Sequence, residues 1–293
     1  TSSCSTLLTP ILLDRVGPHV AFGVPGLLML MATVVFWMGR KTFVHIPAGG
    51  WKFVKESFSG EGLAAIGKLA IVYAFVAMFW ALFDQTGSAW VLQAEKMDRN
   101  WLGIEWLSSQ IQAVNPIMIL LFIPLFNYAI YPLVDKVFPL TPLRKISIGF
   151  FVAIPSFLLP ALVEVWIADG ATPSIGWQVI SFMMITAAEL LISITCLEFS
   201  YTQAPNRMKS LILGLFLSSV AVGNLFTALV NFFIQNPDGT SKLSDVNYYL
   251  FFAGAMTVTA VVFVFVAIWY QPRNYIQEET VEVTDEEADA EMR

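Results

Sequence analysis

The 293-residue chain is 57% hydrophobic and only 13% charged, with a mean hydropathy of +0.68. A soluble globular domain carries about 25% charged residues, so a single aqueous core is excluded and several membrane spans are expected. The net charge of −6 does not point to a basic partner, because residues 278–293 alone carry a net −7 and the remainder is close to neutral. Residues 272–293 therefore read as an acidic, solvated and disordered tail.

In chain order, Thr1 opens an apolar run with neither a Met nor the basic segment of a signal peptide. Residues 1–13 read as the end of a membrane helix, with an upstream portion expected. A helix needs about 20 apolar residues to cross the hydrocarbon core. Segments 18–38, 69–92, 110–133, 146–168, 176–200, 210–235 and 247–270 qualify. Trp37, Trp90, Trp106, Trp177, Tyr248, Trp269 and Tyr270 sit near their ends, as an interfacial aromatic belt does.

The 40–68 segment is the longest connection. Trp51, Phe53, Val54 and Phe58 alternate there with Lys52, Lys55 and Glu56, which reads as an interfacial amphipathic helix linking one bundle to the next. The spans of 69–271 then make one repeat-sized unit. Pro116, Pro124, Pro132, Pro155 and Pro160 fall inside spans and bend them, which suits a gate or a cavity wall as well as ordinary membrane-helix packing. Placing 39–68 in the cytoplasm puts twelve of the sixteen Lys and Arg residues inside and leaves Arg15, Lys96, Arg99 and Lys242 outside. That is a positive-inside split, with the C-terminus cytoplasmic.

Two carboxylates lie at membrane depth, Asp84 and Glu189. A charge there costs about 2.5–3.5 kcal/mol on insertion scales. Each is therefore a candidate for substrate or proton handling, the alternative being a carboxylate merely paired with a neighbouring helix. Desolvation disfavours the charged form of a carboxyl, so an acid at that depth is a candidate proton carrier, and a carboxylate can also pair with a substrate amine. Helical spacing puts Trp80, Asp84, Gly87 and Ser88 on one face, and Glu189 on a face with Ser181, Ser193, Cys196 and Ser200. Asn115 begins a line with Phe122 and Phe126. Ser219, Gly223, Thr227 and Asn231 form a small-residue stripe behind Phe216, which reads as helix packing ahead of cavity lining.

Glu164, Asp169 and Glu198 fall near span ends, where hydration is cheap, and read as structural. Cys4 and Cys196 read as packing residues, with no disulfide framework. The chain has no HExxH, GxSxG or GxxxxGK[ST] motif and no basic nucleic-acid patch, so zinc protease, serine hydrolase, nucleotide-binding and nucleic-acid roles are poorly supported.

The blocks FWALFDQTGSAWVLQAEKM (79–97), IQAVNPIMILLFIPLFNYAIYPL (111–133) and AAELLISITCLEFSYTQAPNRMKS (187–210), with AFGVPGLLML (21–30), resemble the proton-dependent oligopeptide transporter family of the major facilitator superfamily. The resemblance implies an all-α polytopic fold of two six-helix bundles. Residues 1–39 would hold the end of helix five and helix six, 40–68 the cytoplasmic linker, and 69–271 the C-terminal bundle. It implies a proton-coupling and gate role for Asp84 and peptide-backbone contact by Asn115. Glu189 would bind the peptide amino terminus, with Ser193 one turn below it. Phe216 stands where many members carry a pocket tryptophan, and Ala188 stands where they carry glycine. Trp80 joins the same substrate-binding set.

The first-helix ExxER motif of the family is not in this chain, and the N-terminal six-helix bundle is expected as its partner. The short 169–175 link resembles bacterial members. The expected function is proton-coupled symport of di- and tripeptides by alternating access in a bacterial inner (plasma) membrane, with protons as coupling ion and no cofactor. A different substrate within the family, such as an amino acid, nitrate or a peptide-like drug, is the alternative. A non-transporting scaffold or sensor is another.

Overall fold

The computed structural model describes residues 2–43, 50–203, 208–236 and 241–270. Among them seven helical spans are long and apolar enough to cross a membrane: Pro18–Lys41, Gly62–Glu95, Ser108–Asp135, Pro142–Ala168, Gly176–Thr202, Lys209–Ile234 and Asp245–Trp269. Each predicted span has its counterpart, and α1 (Ser2–Arg15) precedes them. The protein is an integral membrane protein. The acidic tail and the side chains of Lys52, Phe53, Val54 and Glu56 lie outside the described residues. The backbone at Gly50–Ser57 is helical (α3) and Trp51 on it is exposed.

The first bundle helix, α4, starts earlier than the sequence predicts. It runs Gly60–Phe83, with the Ser59 hydroxyl accepting a hydrogen bond from the Gly62 amide at 3.2 Å. An N-cap oxygen satisfies an otherwise orphaned helix donor, so residues 60–68, assigned above to the linker, are helix. The span does not continue unbroken after Phe83. A 3-10 turn, Asp84–Gly87, separates α4 from α5 (Ala89–Glu95).

A short hairpin follows, β1 (Asn100–Trp101) against β2 (Ile104–Glu105). Leu102 and Gly103 turn it with positive φ of 55° and 75°, the backbone that a two-residue hairpin turn requires. Asp98 ties it to the 169–175 link: its amide donates to the Pro173 carbonyl at 3.0 Å, and its carbonyl accepts from Ile175 at 2.8 Å.

After the 3-10 segment Ser108–Ala113 come α6 (Val114–Leu125), a π turn (Phe126–Ile130) and α7 (Tyr131–Asp135). Then come α8 (Pro142–Ala168) and α9 (Gly176–Glu189). A second π turn, Leu190–Ile194, leads into α10 (Thr195–Thr202). Helices α11 (Lys209–Ile234) and α12 (Asp245–Trp269) complete the described bundle.

One core runs through α4, α8, α9, α11 and α12, built around Phe79, Trp90, Phe150, Phe157, Phe182 and Phe263. Helix α8 packs on α12 and α9, and α4 packs on α11. The small-residue stripe serves this last contact, as read from the sequence. A Cβ on Gly223 would meet the Ala77 carbonyl oxygen and lie 2.8 Å from the Ala81 amide nitrogen, and the Thr227 hydroxyl donates to the Ala81 carbonyl at 3.1 Å. Helix α2 packs on α1 and is otherwise largely exposed, as are Leu120 and Leu121 on α6.

Glu164 corrects the sequence reading. It is 4% exposed rather than hydrated. The Gln93 side-chain amide donates to it at 3.1 Å, and the Lys96 ammonium stands 3.6 Å from its other oxygen. Lys96 donates in turn to Asp245 at 2.6 Å. The end of the span folds inward here because α5, α8 and α12 converge. Burial works against the Lys96 charge, but the Asp245 hydrogen bond and the Glu164 charge outweigh it and hold its pKa above the ordinary lysine value. The lysine's stabilising contribution is thus fully present at neutral pH and is lost only as pH rises through that elevated value. Replacing Lys96 by Met leaves a buried carboxylate without its cation. A loss of about 1–3 kcal/mol is expected, below that of a fully buried pair because Lys96 is half-exposed. Thermal unfolding in detergent at pH 7 should show it, with Lys96→Met/Glu164→Gln recovering most of the loss.

Candidate functional site

The two intramembrane acids sit at the two interruptions of their spans. Glu189 is the last residue of α9, and the π turn begins at its C-terminal side. Asp84 caps α4 and opens the 3-10 turn. Such interruptions inside membrane helices are tolerated where the backbone is covered by protein or faces a cavity, and π turns frequently mark functional positions.

Asn115, in the first turn of α6, bridges to α9. Its side-chain amide donates to the Glu189 Oε2 at 2.8 Å and to the Thr186 hydroxyl at 3.0 Å. With Glu189 ionised this is the stronger kind of hydrogen bond, and it fixes one oxygen of a half-buried carboxyl group. Asp84 is half-buried as well, and its Oδ2 accepts from the Asn224 amide on α11 at 2.6 Å. Each acid is thus held by a neutral amide, and among the described residues neither pairs with a cation. Both are therefore paired with a neighbouring helix, Glu189 with α6 and Asp84 with α11, through a neutral amide rather than a cation.

Trp80 and Asp84 both meet α11, the first beside Gly223 and the second through Asn224, and a 3-10 turn carries the chain on to Gly87 and Ser88. Ser193 follows Glu189 by four residues within the π turn, so it stays close to one turn away although the local hydrogen bonds run from i to i+5. Ser181, Cys196 and Ser200 are buried in the core, and the Ser200 hydroxyl donates to the Cys196 carbonyl.

Phe216 is also buried, meeting Tyr73 of α4 edge-on with centroids 6.0 Å apart. Trp80 packs edge-on against Phe79 and Phe83, each at 5.4 Å. In this arrangement both rings contribute to the core in which α4 and α11 pack. Phe122 and Phe126 pack together at 5.8 Å below Asn115, as their spacing predicts.

Thr186 and Asn224 were missed by sequence reasoning. Both are polar residues within apolar spans, and Thr186 lies three residues before Glu189, on the same face of an α-helix.

The sequence pattern of the POT family matches residues 2–69 and 55–247. The chain belongs to the POT family. Solute carrier family 15 member 2 of Oryctolagus cuniculus is 34% identical over 238 residues, which is 67% of this chain and 32% of that protein. Peptide transporter family 1 of Drosophila melanogaster is 32% identical over 211 residues, 58% of this chain and 28% of that protein. The chain thus spans about a third of the length of the curated relatives it matches.

A solved structure of an auto-inhibited POT family peptide transporter superposes with a TM-score of 0.81 at 26% identity, over 93% of this chain and 68% of that one. The POT family transporter PepTSo superposes with a TM-score of 0.79 at 29% identity, over 91% and 68%. The fold is that of a major facilitator transporter, and the family's members are transporters rather than enzymes.

Proposed function

We propose that this chain supplies the C-terminal bundle of a secondary transporter that imports di- and tripeptides with protons by alternating access. The observation that carries the reading is the Asn115–Glu189 pair beside a break in α9, a carboxylate held ready by a neutral donor with no cation bound to it. Such a carboxylate suits the amino terminus of a peptide, and Asn115 its backbone. It argues against a simple anion such as nitrate. Asp84, at the helix break and tied to Asn224, is assigned to proton coupling and gating. Ser193, Phe216 and Trp80 are assigned to the substrate-facing wall in the conformation that opens to peptide. Protons are the coupling ion, and no cofactor is required.

Helices α1 and α2 would belong to the N-terminal six-helix bundle, whose remaining helices would meet the exposed faces of α2 and α6. We place the protein in a bacterial inner (plasma) membrane with the cation-rich loops and the C-terminus in the cytoplasm. The positive-inside distribution and the short 169–175 link support that placement.

Proteoliposomes containing the full-length protein test the reading. Under an inward proton gradient a dipeptide should accumulate above its external concentration. Asp84→Asn should lose that accumulation while still exchanging labelled for unlabelled dipeptide, since exchange needs no net proton movement. Uptake of a different solute with no response to dipeptide would leave the fold standing and remove the substrate assignment. Gradient-driven accumulation by Asp84→Asn would remove the proton role.

A further inference from the structure

A crevice of about 1070 Å³ opens between the ends of α8, α10 and α12, at the end of the bundle that carries Lys68, Lys136, Arg144 and Lys145. Its walls are mainly apolar, with Ile148 and Phe151 from α8, Phe199 from α10, and Val264, Ala267 and Ile268 from α12, while Ser147, Thr202 and Gln203 add polar atoms. Arg144 stands at its mouth on the first turn of α8. The guanidinium donates to the Pro139 carbonyl at 2.9 Å and lies 4.5 Å over the Phe138 ring. Among the described residues no carboxylate pairs with it. An arginine has five N–H donors, so most of this fork remains available for an oxyanion.

The depth of the crevice decides what fits. From Pro142 to Phe151 an α-helix rises about 14 Å, close to half of the ~30 Å hydrocarbon core. The crevice therefore starts at the polar interface and runs down most of one leaflet. One cation at the top and apolar walls below are complementary to an anionic head on an aliphatic chain. A soluble phosphate would leave the walls unused, and a peptide would bury its backbone polar groups against them without partners.

We propose that this crevice is a binding site for one anionic phospholipid of the adjoining leaflet, its phosphate on Arg144 and an acyl chain between α8 and α12. Its volume lies at the upper end of the roughly 300–1,000 Å³ of ligand pockets, and basic sites between membrane helices on the cytoplasmic side are known to hold anionic head groups.

Native mass spectrometry of the full-length protein, mixed with equal amounts of phosphatidylglycerol and phosphatidylcholine, tests the site. One phosphatidylglycerol per chain should be retained with about fivefold preference, the factor expected for one arginine at an anionic surface. Arg144→Gln should bring the preference to parity, and Ala267→Phe, which narrows the crevice, should remove retention of both lipids. Millimolar glycerol 3-phosphate should not displace the lipid. The proposal fails if Arg144→Gln keeps the preference, if wild-type protein retains neither lipid selectively, or if glycerol 3-phosphate competes. Arg144 is exposed, so its substitution gives up only the Pro139 hydrogen bond and the stack on Phe138 outside the core, and decides the matter alone should Ala267→Phe not fold.

Discussion

Glu189→Gln is expected to abolish concentrative dipeptide uptake while leaving the protein folded. Glutamine keeps the size of the side chain and an oxygen that can accept from Asn115, whose amide now donates to the carboxylate at 2.8 Å. What disappears is the charge facing the substrate amine. A hydrogen bond to a charged group contributes about 1.5–3 kcal/mol, so dipeptide affinity should fall about 10- to 150-fold. The effect should be specific to the amino terminus. Wild-type protein should bind a dipeptide far more tightly than its N-acetylated form, and Glu189→Gln should erase most of that difference. Equal discrimination by wild type and variant would place the amine elsewhere.

The second large effect is on folding. At Gly223 the backbones of α4 and α11 approach so closely that a methyl group would press on the Ala77 carbonyl oxygen and the Ala81 nitrogen, at 2.8 Å from the latter. Both obstacles are main-chain atoms of one helix and cannot rotate aside. Gly223→Ala is therefore expected to cost about 1–3 kcal/mol, the usual range for overpacking, and Gly223→Leu to prevent accumulation of folded protein. Gly254 on α12 provides the control, because a Cβ there meets nothing within 4 Å. Thermal unfolding of the three variants in detergent separates the cases. Equal stability of Gly223→Ala and Gly254→Ala would show that the helices are looser than this contact implies.

The spans were legible because one signal, a run of about 20 apolar residues, has no competing explanation at this composition. Pro18–Met38 was found to the residue. Within the spans, spacing served only where the helix is regular. Ser219, Gly223 and Thr227 were read as packing, and α11 is continuous there, so the i+4 rule holds. Around Asp84 and Glu189 a 3-10 turn and a π turn change the repeat, and neither leaves a trace in hydrophobicity. Asp84 and Glu189 stood out because charges at membrane depth are costly, and Asn115 through the resemblance of its segment to the family. Their amide and hydroxyl partners, Asn224 and Thr186, did not, since neutral polar residues are common enough in membrane helices to carry little signal. Glu164 was misjudged because position along a helix says nothing about the Lys96 side chain that reaches back to cover it.

The two π turns, Phe126–Ile130 and Leu190–Ile194, lie against one another through Phe126, Leu190 and Leu191. Each is a joint in an otherwise stiff rod, and a joint set beside a joint lets two rods flex together without sliding apart. Asn115 and Glu189 are on the long arms, α6 and α9, and hold each other across them. The short arms, α7 and α10, hang beyond the joints. The Asn115–Glu189 link and any movement of the short arms are thus mechanically decoupled within the same pair of helices, so one can stay closed while the other moves.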